Sequence, residues 1–87
     1  MKILMKPIDM ISCTSIEGIL TPIRFRLIDK NNKRIIIKID RIINTKEEKR
    51  AGNPMLIFTV QITFKNEERL LELKYEIRAC KWFLYKM

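Results

Sequence analysis

The chain has 87 residues, the size of one small domain, and 47% of them are hydrophobic, which argues against intrinsic disorder. The formal net charge of +8 favours an anionic partner, either nucleic acid or a membrane surface, and the alternative is an ordinary soluble surface with biased lysine usage. No apolar run approaches the about 18 residues of a membrane span, and Pro7 and Asp9 fall where a signal peptide has its apolar core. The sequence therefore predicts one cytoplasmic domain over residues 1–87 with no membrane segment.

Residues 6–14 predict an irregular first strand. Ile8 and Met10 alternate with Asp9, and the phase then shifts over residues 11–13, which indicates a bulge or an irregular edge. Glu17-Gly18 follows and predicts a turn, because glycine adopts a positive φ without steric cost.

Residues 22–28 predict a second strand with two outward arginines, Arg24 and Arg26. Its predicted inward residues are Ile23, Phe25 and Leu27. The run from Asp29 to Asn32 has turn chemistry, since Asp and Asn tolerate left-handed conformations and bond their own backbone.

Residues 33–43 predict a third strand. The inward positions are Ile35, Ile37 and Ile39, and the outward positions are Arg34, Ile36, Lys38 and Asp40. Ile42 breaks this alternation, which predicts a bulge near Asp40-Arg41.

Residues 44–53, NTKEEKRAGN, permit two interpretations. Thr45 and Glu48 have the spacing of a capping box and Gly52 suits the position after a helix end, so a short helical turn is one of them. The other is a long hairpin with a polar tip. The sequence leaves both open.

Residues 55–78 carry the clearest strand pattern, two alternating segments joined by a polar turn at residues 66–68. The predicted inward residues are Leu56, Phe58, Val60, Ile62, Phe64, Leu71, Leu73, Tyr75 and Ile77. At a helical period the second set would scatter around the whole cylinder, so the strand interpretation is favoured.

Residues 81–86 predict a last strand that follows a corner at Ala79-Cys80. Both of its faces are apolar, with Trp82 and Leu84 on one and Phe83 and Tyr85 on the other. The barrel itself, a partner subunit or a ligand must cover the second face.

Six strands with short connections and no helix of ordinary length indicate an all-β protein, a small antiparallel barrel of about five to six strands. An SH3-like barrel best fits the strand count and turns, and an OB-like barrel is the alternative.

The side chains offer little for catalysis. There is no histidine, and the two glycines lie too far apart for a phosphate-binding loop. Paired glutamates at residues 47–48 and 67–68 fall in polar segments where solvated charge is the ordinary explanation. We therefore expect no catalytic residue, no metal, no cofactor and no small-molecule substrate.

The two cysteines belong to no metal-binding or redox motif. Cys80 is interpreted as a buried structural residue, and in a cytoplasmic protein both thiols stay reduced. A Cys13–Cys80 disulfide is the alternative.

Basic residues concentrate on the second and third strands and on the turn between them. The candidate nucleic-acid-binding residues are Arg24, Arg26, Lys30, Lys33, Arg34 and Lys38. Such a stripe neutralises phosphates of DNA or RNA without reading bases. Single-strand recognition usually adds exposed aromatics, which only the Trp82–Tyr85 segment supplies.

A second candidate function is protein–protein interaction, with a homodimer as the simplest case. The candidate interface residues are Ile36, Met55, Ile57, Phe83 and Tyr85, all outward-facing in the predicted register. A contiguous apolar patch on a small domain usually marks an interface. If this patch is covered within the monomer, the basic stripe becomes the stronger candidate.

The chain carries PIRFR at 22–26, KIDRI at 38–42, AGN at 51–53, MLIF at 55–58, LKYE at 73–76 and KWFL at 81–84. Over roughly residues 6–87 this set resembles a group of short uncharacterised proteins of low-GC Gram-positive bacteria. More faintly, the closing tyrosine-then-tryptophan pattern is similar to small domains of unknown function associated with translesion-polymerase genes. The second resemblance implies a link to DNA metabolism and supplies no site residues.

Overall fold

Six antiparallel strands close into a barrel in the structure, a computed structural model that describes residues 1–87. The strands are β1 (Ile3–Thr14), β2 (Leu20–Ile28), β3 (Arg34–Arg50), β4 (Asn53–Phe64), β5 (Glu67–Glu76) and β6 (Lys81–Lys86). Each strand pairs with its neighbour in sequence, and β6 pairs with β1 to complete the circle. The predicted all-β antiparallel barrel is thereby confirmed. The finer assignment to the SH3-like or OB-like type stays a prediction.

The interior is filled by the apolar side chains that the period-2 pattern places inward. The buried cluster consists of Phe25, Ile37, Ile39, Phe58, Val60, Ile62, Leu71, Leu73, Trp82 and Leu84. Trp82 lies at its centre, with ring centroids 5.4 Å from Phe58 and 4.8 Å from Tyr75. Because side chains alternate across a strand, β2 to β6 supply this core with one face while the other stays outside, and β1 packs Ile8 and Met10 against it.

Two tight turns set the register of the central hairpins. Ala51-Gly52 joins β3 to β4, and Lys65-Asn66 joins β4 to β5, with positive φ at all four residues. Two central residues of positive φ are the mark of a type I′ turn, whose twist matches that of the flanking strands. Glu67 and Glu68 therefore belong to β5. The sequence had placed them in the turn, and that prediction is wrong.

β3 is much longer than the sequence predicts, and residues 44–53 form the long hairpin and not the helical turn. The predicted irregularity near Asp40 is present, since the register with β4 shifts between Ile39 and Arg41. A second shift follows between Ile42 and Asn44, and the two together let this long strand keep its apolar side chains inward.

Ile23 does not face inward, and this prediction is wrong. It is 43% exposed, whereas Pro22 beside it is buried. In the pairing with β1, Arg24 lies opposite Ile11 and Pro22 opposite Ser12, so Ile23 is an extra residue without a partner. The irregularity expected at residues 11–13 of β1 is therefore real, and the bulged residue lies on β2.

The interpretation of Cys80 as a buried residue is also wrong. Cys13 and Cys80 are both free and exposed. Cys80 ends the turn between β5 and β6 with φ of 54°, a conformation that keeps its side chain outside the core. The structure contains no helix with the length and apolar character needed to cross a bilayer.

Candidate functional site

The basic residues predicted from the sequence come together on the outer side of β2 and β3. Arg24 lies directly opposite Lys38, Arg26 opposite Ile36, and Ile28 opposite Arg34. The set Arg24, Arg26, Lys30, Lys33, Arg34 and Lys38, which we call the basic face, is exposed throughout. Because outward residues of paired strands stand beside one another, the sheet converts two separate sequence segments into one cationic surface.

Only one member of the basic face is neutralised by a carboxylate. Arg26 Nη2 lies 2.7 Å from Asp9 Oδ2 on β1, an exposed ion pair that the sequence did not indicate. The other ion pairs of the protein join Arg50, Arg69 and Lys74 to glutamates elsewhere. Arg24, Lys30, Lys33, Arg34 and Lys38 therefore keep their charges free for an external anion.

Asp29 organises the basic turn. Its Oδ1 accepts hydrogen bonds from the backbone N–H groups of Asn31 and Lys33, both at 2.8 Å. The bond from Lys33 is the main reason that the pKa of Asp29 lies below its ordinary value, with smaller contributions from the Asn31 bond and from the nearby lysine charges. The Asp29 carboxylate is thus engaged with its own backbone, and both lysine side chains of the turn extend into solvent.

A shallow groove of about 360 Å³ lies beside the basic face, where β1, β2 and β3 meet. Ile11 and Ile36 line it together with Arg24, Arg26 and Asp9. Ile11 was not a predicted site residue, although its outward position on β1 follows from its pairing with Arg24. The groove gives the basic face an apolar floor against which the flat faces of bases or sugars can pack.

The aromatic residues of β6 do not lie on the basic face. Phe83 pairs with Pro7 of β1, so the whole of β1 separates it from β2. The Tyr85 ring is covered, with Lys74 Nζ 4.0 Å and Lys86 Nζ 5.0 Å from its centroid. The structure therefore does not bring the expected stacking platform next to the cations.

The apolar patch expected from the sequence is interrupted, because one of its members is buried. Ile57 is only 3% exposed, because Lys46 and Lys74 flank it on the neighbouring strands. Ile36 is 66% exposed but pairs with β2, whereas Met55 lies opposite Glu48, twelve positions further along β3. Ile36 therefore lies on a different part of the barrel from Met55.

A small second cluster on the outside of the barrel takes the place of that patch. Lys74 lies between Ile57 of β4 and Phe83 of β6, and its Nζ is 3.3 Å from Glu48 Oε2. The Lys74 ammonium and then Arg50 hold the pKa of Glu48 below its ordinary value, although partial burial raises it. The apolar face of β6 is thus covered from within the chain, by a lysine stem and its counter-ion.

No three cysteine, aspartate or glutamate side chains converge at one point of the structure. No family model, curated protein or solved structure matches the chain.

Proposed function

We propose that this protein is a non-enzymatic, cytoplasmic nucleic-acid-binding module that holds the phosphate backbone with its basic face. The observation that carries the proposal is the group of five cations without a carboxylate partner, Arg24, Lys30, Lys33, Arg34 and Lys38. The faint resemblance to domains associated with polymerase genes points the same way.

The pairing of Arg24 with Lys38 supports this proposal most directly. Like charges placed opposite each other on paired strands destabilise a sheet by a few tenths of a kcal/mol to about 1 kcal/mol. A phosphate placed between the two side chains converts this repulsion into two charge-assisted hydrogen bonds. Such contacts position a nucleic acid but do not distinguish bases, so we expect weak sequence preference.

The competing candidate, self-association through Ile36, Met55, Ile57, Phe83 and Tyr85, has less support. Ile57 is covered by the chain itself, and Ile36 lies on a different part of the barrel from Met55. The exposed side chain of Ile36 belongs to the groove beside the basic face, where it serves the first proposal.

A titration against labelled single-stranded DNA, duplex DNA and RNA at several salt concentrations tests the proposal. If all five free cations contact phosphate, the logarithm of the binding constant should fall with the logarithm of salt with a slope of about −3.5 on a single strand and about −4.5 on a duplex. A shallower slope would mean that fewer than five of these cations contact phosphate.

The double variant Arg24→Glu, Lys38→Glu should abolish most of this binding. The matched control is Arg78→Glu, Lys81→Glu, an equal change in net charge at the exposed turn between β5 and β6, at the opposite end of the barrel. Undetectable affinity at low salt, or equal weakening by both double variants, would refute a specific role for the basic face.

A further inference from the structure

β2 and β3 are paired along only part of their length, and the wall of the barrel is open beyond that part. Pairing of the two strands ends at Arg24–Lys38, and from Ile39 to Arg50 β3 pairs with β4 alone. None of the backbone hydrogen bonds made outside the strand pairings involves residues 39–50. We call this stretch the free edge of β3; its unpaired N–H and C=O groups form a template for another strand.

Two cavities border parts of the free edge, and we call them together the cleft. One part, of about 260 Å³, separates Pro22 and Ile23 of β2 from Ile39 and Ile42 of β3. The other part, of about 520 Å³, opens at the mouth of the barrel between Ile19 and Thr45. Pro22 has no N–H to donate, so β3 is the strand of the two that is better suited to pair with an added strand.

The cleft is lined by exposed apolar side chains. Ile19 is 64% exposed at its rim, and Leu56, Tyr75 and Ile77 line it from β4 and β5 and the turn that follows. A strand added to β3 would point every second side chain toward these residues and the others toward solvent. The cleft therefore selects an extended segment with apolar residues at alternate positions.

The charge of the free edge indicates which charge the other, solvent-facing residues of the bound segment should carry. Residues 41–50 contain four basic and two acidic side chains. One of the two acids, Glu48, is already engaged by Lys74 and Arg50, whereas Lys46 and Lys49 make no ion pair. Antiparallel pairing of two copies would bring two such positive edges together, so a second copy of the chain fits less well than an acidic segment.

We propose that the free edge of β3 binds an extended segment of a partner protein, with alternating apolar and acidic residues, as an added antiparallel or parallel strand. Main-chain hydrogen bonds to residues 39–50 hold the segment, and the cleft receives its apolar side chains. The free edge adjoins the basic face at Lys38, but the basic turn at Lys30, Lys33 and Arg34 lies at the other end, where β3 begins.

The test uses a capped synthetic peptide of about ten residues in which valine and glutamate alternate, titrated into the isotope-labelled full chain. We expect amide resonances to shift at residues 39–50 and 19–23 and to remain unchanged at Lys30, Lys33 and Arg34. Three control peptides complete the test. One has the same residues in two blocks and should not bind. The other two are N-methylated at alternate positions, one in each phase, and only the one that loses the donors facing β3 should fail to bind.

Variant proteins then separate the cleft from general charge effects. Ile19→Asp should weaken peptide binding by about tenfold or more, because a carboxylate replaces an apolar wall of the cleft. Leu70→Asp introduces the same charge at an exposed aliphatic residue on the outer face of β5, and it should leave peptide binding unchanged. Lys30→Glu, Lys33→Glu, an equal charge reversal in the basic turn away from the cleft, should retain the peptide.

Several results would overturn the proposal. They are binding of both N-methylated peptides as tight as that of the unmodified peptide, resonance shifts confined to the basic face, and no binding at millimolar peptide. A dimer that forms at the concentrations of the titration and perturbs the same residues 39–50 would assign the free edge to a second copy of this chain instead.

Discussion

Lys74 and Glu48 form an ion pair on the outside of the barrel, with Nζ 3.3 Å from Oε2, although only 8% of the Lys74 side chain is exposed. Lys74 Nζ also lies 4.0 Å from the centroid of the Tyr85 ring. Glu48 Oε2 is buried and accepts no hydrogen bond of good geometry, so the contact is chiefly electrostatic. Burying a lysine this far is tolerable only because a carboxylate and an aromatic face replace its water.

Removing the carboxylate should therefore destabilise the protein. Glu48→Gln leaves the Lys74 ammonium without a counter-ion, and we expect a loss of about 2 kcal/mol in the free energy of unfolding. Urea titration followed by the emission of Trp82, which is buried beside Phe58, provides the measurement. In the control Glu67→Gln the lost partner is Arg69, an exposed pair at 3.5 Å, and the change should stay within about 0.5 kcal/mol. Equal losses of unfolding free energy in the two variants would show that the buried Lys74–Glu48 pair stabilises the protein no more than an exposed ion pair does.

The same ion pair should make stability depend on pH. The pKa of Glu48 is lowered from its ordinary value of 4.5 by Lys74 first and Arg50 next. A carboxyl group with a depressed folded-state pKa stabilises the protein fully above its unfolded pKa, and this contribution is lost as the pH falls through the folded value. The advantage of the native protein over Glu48→Gln should therefore be constant near neutral pH and shrink below pH 4.5. Urea midpoints of the two proteins, measured over a pH series, check this; a constant difference at acid pH would contradict it.

Substitution of Ala51 should increase the stability of the protein. It occupies the first position of the turn between β3 and β4 with φ of 49°, and Gly52 follows with φ of 81°. Ala51→Asn creates Asn-Gly, the preferred sequence for a type I′ turn, and should stabilise the protein by about 1 kcal/mol. Thermal unfolding measures the gain. Ala79→Asn, at a turn residue without positive φ, should give none.

The basic face predicts opposite effects on stability and on binding. Lys38→Glu replaces the Arg24–Lys38 repulsion with an attraction, so the free protein should gain about 0.5 kcal/mol. The same variant should lose affinity for nucleic acid. Urea titration and the binding titration, performed on one preparation, test both halves. A variant that is both less stable and weaker in binding would mean that the lysine has a structural role.

Both thiols should react in the native state. Cys13 and Cys80 are free and exposed, so an alkylating reagent should label both without denaturant. Intact-mass spectrometry should show two additions under native conditions and the same number after unfolding. Labelling of a single cysteine would contradict the exposed position of the other.

The sequence was sufficient to predict the number of strands, most of their inward residues and the barrel class. Phe25, Phe58, Leu71 and Leu73 are inside because alternation is a local property that a strand shows wherever it lies. The same rule correctly placed Arg24 and Lys38 outside, before their pairing was known. The sequence predicted the positions of the turns less well than it predicted the strands. Only the observed positive φ values identify Ala51-Gly52 and Lys65-Asn66 as the turn residues.

Tertiary structure alone decided which outward side chains stay exposed. Ile57 and Lys74 face outward, yet they are buried because β3 continues past the barrel wall and brings Glu48 to them. Ile23 breaks its own alternation because of a register shift against β1. The free edge of β3 exists because pairing with β2 ends at Lys38. Each of these features depends on how far one strand runs beside another. That extent is fixed by contacts between residues distant in sequence, which the alternation within a single strand does not contain.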